Sequence, residues 1–494
     1  MNSSWIFLGS VSLVGLACAA CDDSSTSTSA GGAASGSTSS STGTLSSTSG
    51  TSTGSASATA TSSSASGTSS STGSGTLCTP GEQQPCYSGP DGTNGVGVCK
   101  GGMATCNAAG DGFGPCAGEI VPTVEDCATV ADESCDGAGC GDALWSRALG
   151  SGLISSAGAA MDIAPWRGGV IVGGAIQSSN PMLLNGTGWI RFDAGGVIVE
   201  TKVLEPSFSA NSIRLAAGAD GGLVYAVSGA SAIDFGGGPL SGIVLARLDA
   251  MGALAWTKAV AASAFSDFNT AVDQAASGTV ALVGVSLDGV DFGGGMIPAG
   301  GYFATFDGAT GALLHQSSLG ASTQYPAVAA LSDGRFAIAQ TPSLTIFQAD
   351  HTTSCTSAIT LGTSPSIAET ASGDILVAST KGAAVELVSI SPMCAASTPT
   401  SISTASPKNP RVAIAEGGDI FLSWASSNSH VVTRRDAMGS QIWLKTFPTS
   451  GTNDDRAELF DGISPIVLSL NLSGPIDYGN GPLASGVAVA RLAP

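Results

Sequence analysis

From residue 143 onward, short runs of Val, Ile, Leu and Ala alternate with polar positions and are broken by turns containing Gly and Asp. This period-two pattern predicts strands throughout. Two turn signatures recur. The first is an apolar run, an Asp, a Gly turn and a second run often closed by Trp: Asp193-Ala-Gly-Gly, Asp249 to Gly252 with Trp256, Asp307 to Gly311, and Asp436 to Gly439 with Trp443. Phe347 to Asp350 and Ile390-Ser391 are its degenerate forms. The second is a tight hairpin turn leading into a Val- and Ile-rich run, at Gly168-Gly169, Gly221-Gly222, Ser277-Gly278, Asp333-Gly334, Gly373-Asp374, Gly418-Asp419 and, weakly, Gly462 to Ser464. Successive turns stand about 40 to 56 residues apart, room for four short strands each. A four-stranded sheet with two apolar faces buries both only by stacking between neighbours around an axis. The pattern therefore predicts an all-β fold, a seven-bladed β-propeller over residues 143–494. Rings of six or eight blades are the alternatives, because the fifth and seventh repeats are weak.

The phase at the two ends supports a closed ring. Ala143 to Leu149, containing Trp145, matches the run that ends each unit, whereas Val487 to Leu492 matches the run before the Asp-Gly turn. The two termini should therefore pair and complete one blade. Longer units also carry Asp234-Phe235-Gly-Gly-Gly238, Asp291-Phe292-Gly-Gly-Gly295 and Asp477-Tyr478-Gly-Asn-Gly481. These residues resemble a bacterial β-propeller repeat family. Trp145, Trp256 and Trp443 are similar to the tryptophan docking motif of quinoprotein propellers and of a related lipoprotein scaffold in outer-membrane assembly. In this chain each Trp is expected to pack one blade on the next. Asp193, Asp249, Asp307 and Asp436 are expected to bond turn amides rather than to act as acids or bases.

The first 142 residues follow a different rule. Trp5 to Ala20 is a short apolar core, and no apolar run reaches the 18 or so residues needed to span a bilayer. With Ala19-Ala20 before Cys21 it resembles a bacterial lipoprotein signal, in which a cysteine thiol carries diacylglycerol. The resemblance implies a signal peptide over residues 1–20 and a lipid anchor at Cys21, with Cys18 after Leu16-Ala17 as the alternative. It departs from the pattern in having Cys18 where the usual Leu stands and no Lys or Arg before Lys100. Asp22 and Asp23 resemble the inner-membrane retention signal of enteric bacteria, a rule tied to that lineage; the expected location is the outer membrane or cell surface. Residues 21–77 are almost wholly Ser, Thr, Gly and Ala, unable to bury enough surface to offset ordering. They form a stalk of root-mean-square reach on the order of 40 Å.

Residues 78–142 hold eight of the twelve cysteines, Cys78, Cys86, Cys99, Cys106, Cys116, Cys127, Cys135 and Cys140. An even number in an exported segment with few large apolar residues predicts a framework of four disulfides, of open connectivity. The spacings and the lack of His do not suit zinc. The segment is similar to a cysteine-rich module that precedes repeat domains in bacterial surface proteins. Its last part resembles a metal-binding motif of secreted proteins, in which acidic residues surround Cys-Asp-Gly. Asp126, Asp132, Glu133 and Asp136 could supply hard oxygens to Ca²⁺, though the spacing is not that of an EF-hand loop. A solvated acidic loop is the plainer alternative.

Charge narrows the function. Lys plus Arg is 17 against 37 Asp plus Glu, a net charge of -20, which excludes nucleic acid as a partner. His315, His351 and His430 belong to no catalytic or metal motif and are expected as scattered surface residues. Cys355 and Cys394 are read as equivalent points of successive repeats, too far apart to bridge, and so as unpaired or weakly paired thiols. No catalytic residue is assigned. The expectation is an exported protein, joined to the membrane by a lipid anchor, whose propeller is a non-catalytic module for an extracellular protein or glycan. The alternative is an exported propeller enzyme, such as a glycan lyase or quinoprotein-like protein, with its site in the funnel.

Overall fold

A computed structural model describes residues 77–494 apart from residues 128, 130, 151–160, 177–185, 207–209, 211, 261–269, 322–325, 404–406, 427, 450–453, 461, 463 and 473. The expected signal segment, the expected lipidation site at Cys21 or Cys18 and the expected stalk up to residue 76 lie outside the described residues.

Seven antiparallel four-stranded sheets form the propeller. The first six comprise residues 161–205, 212–260, 271–320, 327–356, 363–403 and 408–448, each with its strands in sequence order. The seventh is built from Asp454–Phe460, Ser464–Leu472, Gly486–Leu492 and, from the other end of the propeller, Ala143–Gly150. Trp145 lies opposite Arg491 and Arg147 opposite Val489, the pairing that the phase of the ends predicts. The first strand of every blade neighbours that of the next, and the seventh returns to the first, so the ring is closed. This removes the open sheet edge that a linear array would expose.

Both turn signatures fall where the repeats require. Each of the seven Gly turns joins a first strand to a second, and the Asp-Gly turns join third to fourth strands. Second and third strands are buried on both faces, as in Val280–Ser286, Gly300–Phe306 and Ile420–Ser426, which explains their unbroken apolar runs. Fourth strands such as Leu313–Gly320 alternate, because only one face meets a neighbour.

The cysteine-rich segment is a small module around a two-stranded sheet, Gln83–Cys86 with Gly102–Thr105. Four disulfides hold it: Cys78–Cys106, Cys86–Cys116, Cys99–Cys135 and Cys127–Cys140. A fifth, Cys355–Cys394, corrects the expectation of unpaired thiols, with a Cα separation of 6.0 Å. Cys355 lies in the fourth strand of blade four, whereas Cys394 lies in the third-to-fourth turn of blade five. They are different points of the repeat, and that turn overlies the outer strand of the preceding blade. Five disulfides suggest a chain that folds in an oxidising compartment, extracellular or in the envelope.

Candidate functional site

The outer seams between blades are built from one repeated pair of positions. In each third-to-fourth turn one residue adopts the left-handed conformation: Gly196, Gly252, Gly311, His351, Cys394 and Gly439, with Gly141 at the junction into blade seven. Facing several of them is a residue of the preceding blade's outer strand. Trp145 donates its indole N–H to Ala194 O at 2.9 Å, and Trp256 donates to Gly308 O at 2.8 Å. A Cβ on Gly196 would lie 2.5 Å from the Trp145 ring, and one on Gly311 2.8 Å from Trp256, so each indole requires glycine opposite. Where the wedge is smaller the turn residue grows. His315 faces His351, with rings 4.9 Å apart and nearly parallel, and Cys355 bonds Cys394. Trp443 meets Gly141 and the Cys127–Cys140 region, so the module covers the seam where the chain enters the ring. Lys445 Nζ pairs with Asp142 Oδ1 at 2.7 Å at the same junction.

The packing role of the tryptophans is thus observed, and so is the turn chemistry of the aspartates. Asp193 Oδ1 accepts from Gly195 N and Val197 N, Asp249 from Met251 and Ala253, Asp307 from Thr310, and Asp436 from Met438 and Ser440. The reading of the histidines as scattered surface residues is corrected. Besides the stacked pair, His430 is fully buried, its Nδ1 2.7 Å from Ser469 Oγ and 3.0 Å from Tyr478 Oη. Ser469 and His430 stand at a nucleophile–base distance, but both are fully buried and their third partner is a phenol rather than a carboxylate. Burial lowers the His430 pKa to about 3, which keeps the imidazole neutral. The three residues form a polar patch within the seam between blades six and seven.

Near the axis, side chains of one blade cap the innermost strand of the next. Asp162 Oδ2 accepts from Leu215 N, Asp273 Oδ2 from Ala330 N, and Ser366 Oγ from Val412 N. Desolvation raises the Asp273 pKa to about 6, against two backbone amides that stabilise its charge. Asp162 and Ser366 occupy equivalent positions of blades one and five, Asp273 lies two residues nearer the turn of blade three, and the chemistry of all three is stitching. The acidic loop of the module behaves alike. Asp132 accepts from Asp136 N and Gly137 N, Glu133 from Asp126 N and Thr129 Oγ1, and Asp136 from Ala138 N. Among the described residues no group of three or more His, Cys, Asp or Glu converges as a metal site. The side chains of Asp132, Glu133 and Asp136 thus cap amides and a hydroxyl of the loop.

The aromatic inserts fill the seams farther in. Phe235 packs on Trp189 of blade one, Phe292 lies among residues of blades two and three, and Tyr478 contacts Phe447 of blade six. In blade six Trp424, on the second strand, fills the seam towards blade five. Blade four places Gln340 at the matching point, four residues after Phe336 as Trp424 is four after Ile420. A cleft of about 240 Å³ opens there, lined by residues of blades three and four. Nothing in the periodic pattern distinguishes it, since its only sequence signal is a polar residue where another repeat carries Trp.

No protein-family model and no curated protein matches the chain. Among solved structures it is similar to BamB from Moraxella catarrhalis, at 15% identity over 71% of this chain and 99% of that one, with a TM-score of 0.39. The Cps50 (Swd1) beta-propeller domain of Myceliophteria thermophila is similar at 10% identity over 72% of this chain and 99% of that one, with a TM-score of 0.46. A protein of unknown function from Bacteroides caccae is similar at 11% identity over 52% of this chain and 89% of that one, with a TM-score of 0.35. At these identities and scores the likeness carries nothing about activity or partners.

Proposed function

We propose that the chain is an exported protein of the cell envelope, tethered by a lipid on Cys21 and a Ser/Thr/Gly stalk. Its propeller acts as a non-catalytic module that binds an extracellular protein or glycan. The observation that carries this reading is where the reactive side chains are engaged. Asp162 and Asp273 stitch inner strands, Arg247 holds Asp220, Arg434 holds Asp419, and His430 sits in a sealed polar patch. These groups are thus engaged in contacts within a blade or between blades. In the acidic loop Asp132, Glu133 and Asp136 already accept backbone amides, which supports a structural rather than a calcium-binding role.

Full-length protein displayed on its native membrane should capture a protein or glycan in a pull-down and glycan-array screen, with calcium and chelator giving the same result. A hydrolase and lyase panel should record no turnover. Turnover lost on substitution of an axial residue such as Asp273 would overturn the reading in favour of an exported enzyme. Intact-mass analysis should show a diacylglyceryl group on Cys21; an unprocessed Met1 recovered in the cytoplasm would remove the export claim.

A further inference from the structure

The seam between blades three and four differs from that between blades five and six. Where blade six fills the interface with the Trp424 indole, blade four offers the Gln340 amide, and Gly301 of blade three leaves room for it: a Cβ there would lie 2.8 Å from Gln340 Nε2. The resulting cleft has Leu319, Ile338 and Phe347 as an apolar floor and Ser318, Gln340, Ser343, Thr345, Thr353 and Thr356 as a polar wall. Thr345 and Thr356 bond each other across neighbouring strands at 3.2 Å, and Ser318 Oγ accepts from Gly320 N. Five hydroxyls and one amide with no ionisable lining group select a neutral ligand rich in donors and acceptors. Three apolar side chains beneath them suit one face of a saturated ring. At about 240 Å³ the space lies below the roughly 300 to 1,000 Å³ of pockets for drug-sized molecules, so it suits a single ring rather than a chain.

We propose that this cleft is a subsite for one neutral pyranose residue of a glycan. The inference rests on the binding function above and gives it a ligand class and a location. A charged sugar acid would meet no counter-ion there, and an apolar ring would leave the hydroxyl wall without partners. Both are therefore discriminated against.

The test is ligand-observed NMR on the full chain with methyl glycosides of glucose, galactose, mannose and N-acetylglucosamine, beside a methyl glucuronide control. At least one neutral glycoside should bind and the glucuronide should not. Gln340→Ala should lower affinity at least about fivefold, the loss of roughly one net hydrogen bond. Thr345→Phe supplies the missing plug and should abolish binding with a thermal midpoint equal to or above that of the parent, which separates occlusion from misfolding. Failure of every neutral glycoside to bind overturns the proposal. So does binding that survives both substitutions, an outcome that leaves the wider binding function standing because the sugar would then occupy another site.

Discussion

At the residue scale, buried groups make opposite contributions to acid stability. His430 has a folded pKa of about 3 against about 6.5 unfolded, so the native state binds fewer protons between those values. Its contribution is complete above the unfolded pKa and is lost as pH falls towards 3, amounting to about 2 kcal/mol by pH 5. Asp273 runs the other way. With a folded pKa of about 6 against about 3.9 unfolded, the native state binds more protons in that window, and lowering the pH across it stabilises the fold. Thermal melts from pH 4 to 7 should therefore show a shallower acid slope for His430→Gln. The midpoint difference between Asp273→Asn and the parent should be more positive at pH 7 than at pH 4; an unchanged difference would contradict the assignment. The glycines allow a sharper comparison. Gly196 and Gly439 both have positive φ, but only at Gly196 does a Cβ strike an indole. Gly439→Ala should cost about 1 kcal/mol for the backbone alone, and Gly196→Ala clearly more, read from denaturant midpoints.

At the scale of the element, one seam position admits four solutions: indole to carbonyl, imidazole stack, disulfide, and indole against the module. The disulfide is the easiest to remove. Replacing both Cys355 and Cys394 with Ser should cost about 2 to 5 kcal/mol and should accelerate hydrogen exchange in Thr353–Thr356 more than elsewhere. Equal exchange in that strand would show that the bridge does not hold the seam. Strands, turns and the roles of Asp249 or Trp256 were legible because each rests on local periodicity. The bridge and the His315–His351 stack were not, because both join a strand of one blade to a turn of the next. Placing Cys355 and Cys394 at equivalent repeat positions hid a contact that depends on their being different. The Gln340 cleft was not legible, because the matching positions carry residues as different as Gly284, Val227 and Trp424.

At the scale of the molecule, the architecture depends on two distant segments meeting. Ala143–Gly150 supplies the outer strand of a blade whose other strands lie more than 300 residues away, and the module's Cys127–Cys140 region packs beside Trp443 where that strand begins. Blade count and closure could be read from the phase of the ends, since a ring that starts on a fourth strand and stops on a third has one way to complete itself. The module's position against blades six and seven could not, because few of its own residues signal a docking face. The most direct measurement is hydrogen exchange across Gly486–Leu492 in the parent chain and in a variant lacking residues 143–150. The closed ring predicts strong protection in the parent and its loss in the variant, together with a lower thermal midpoint; equal protection in both would contradict closure by the N-terminal strand.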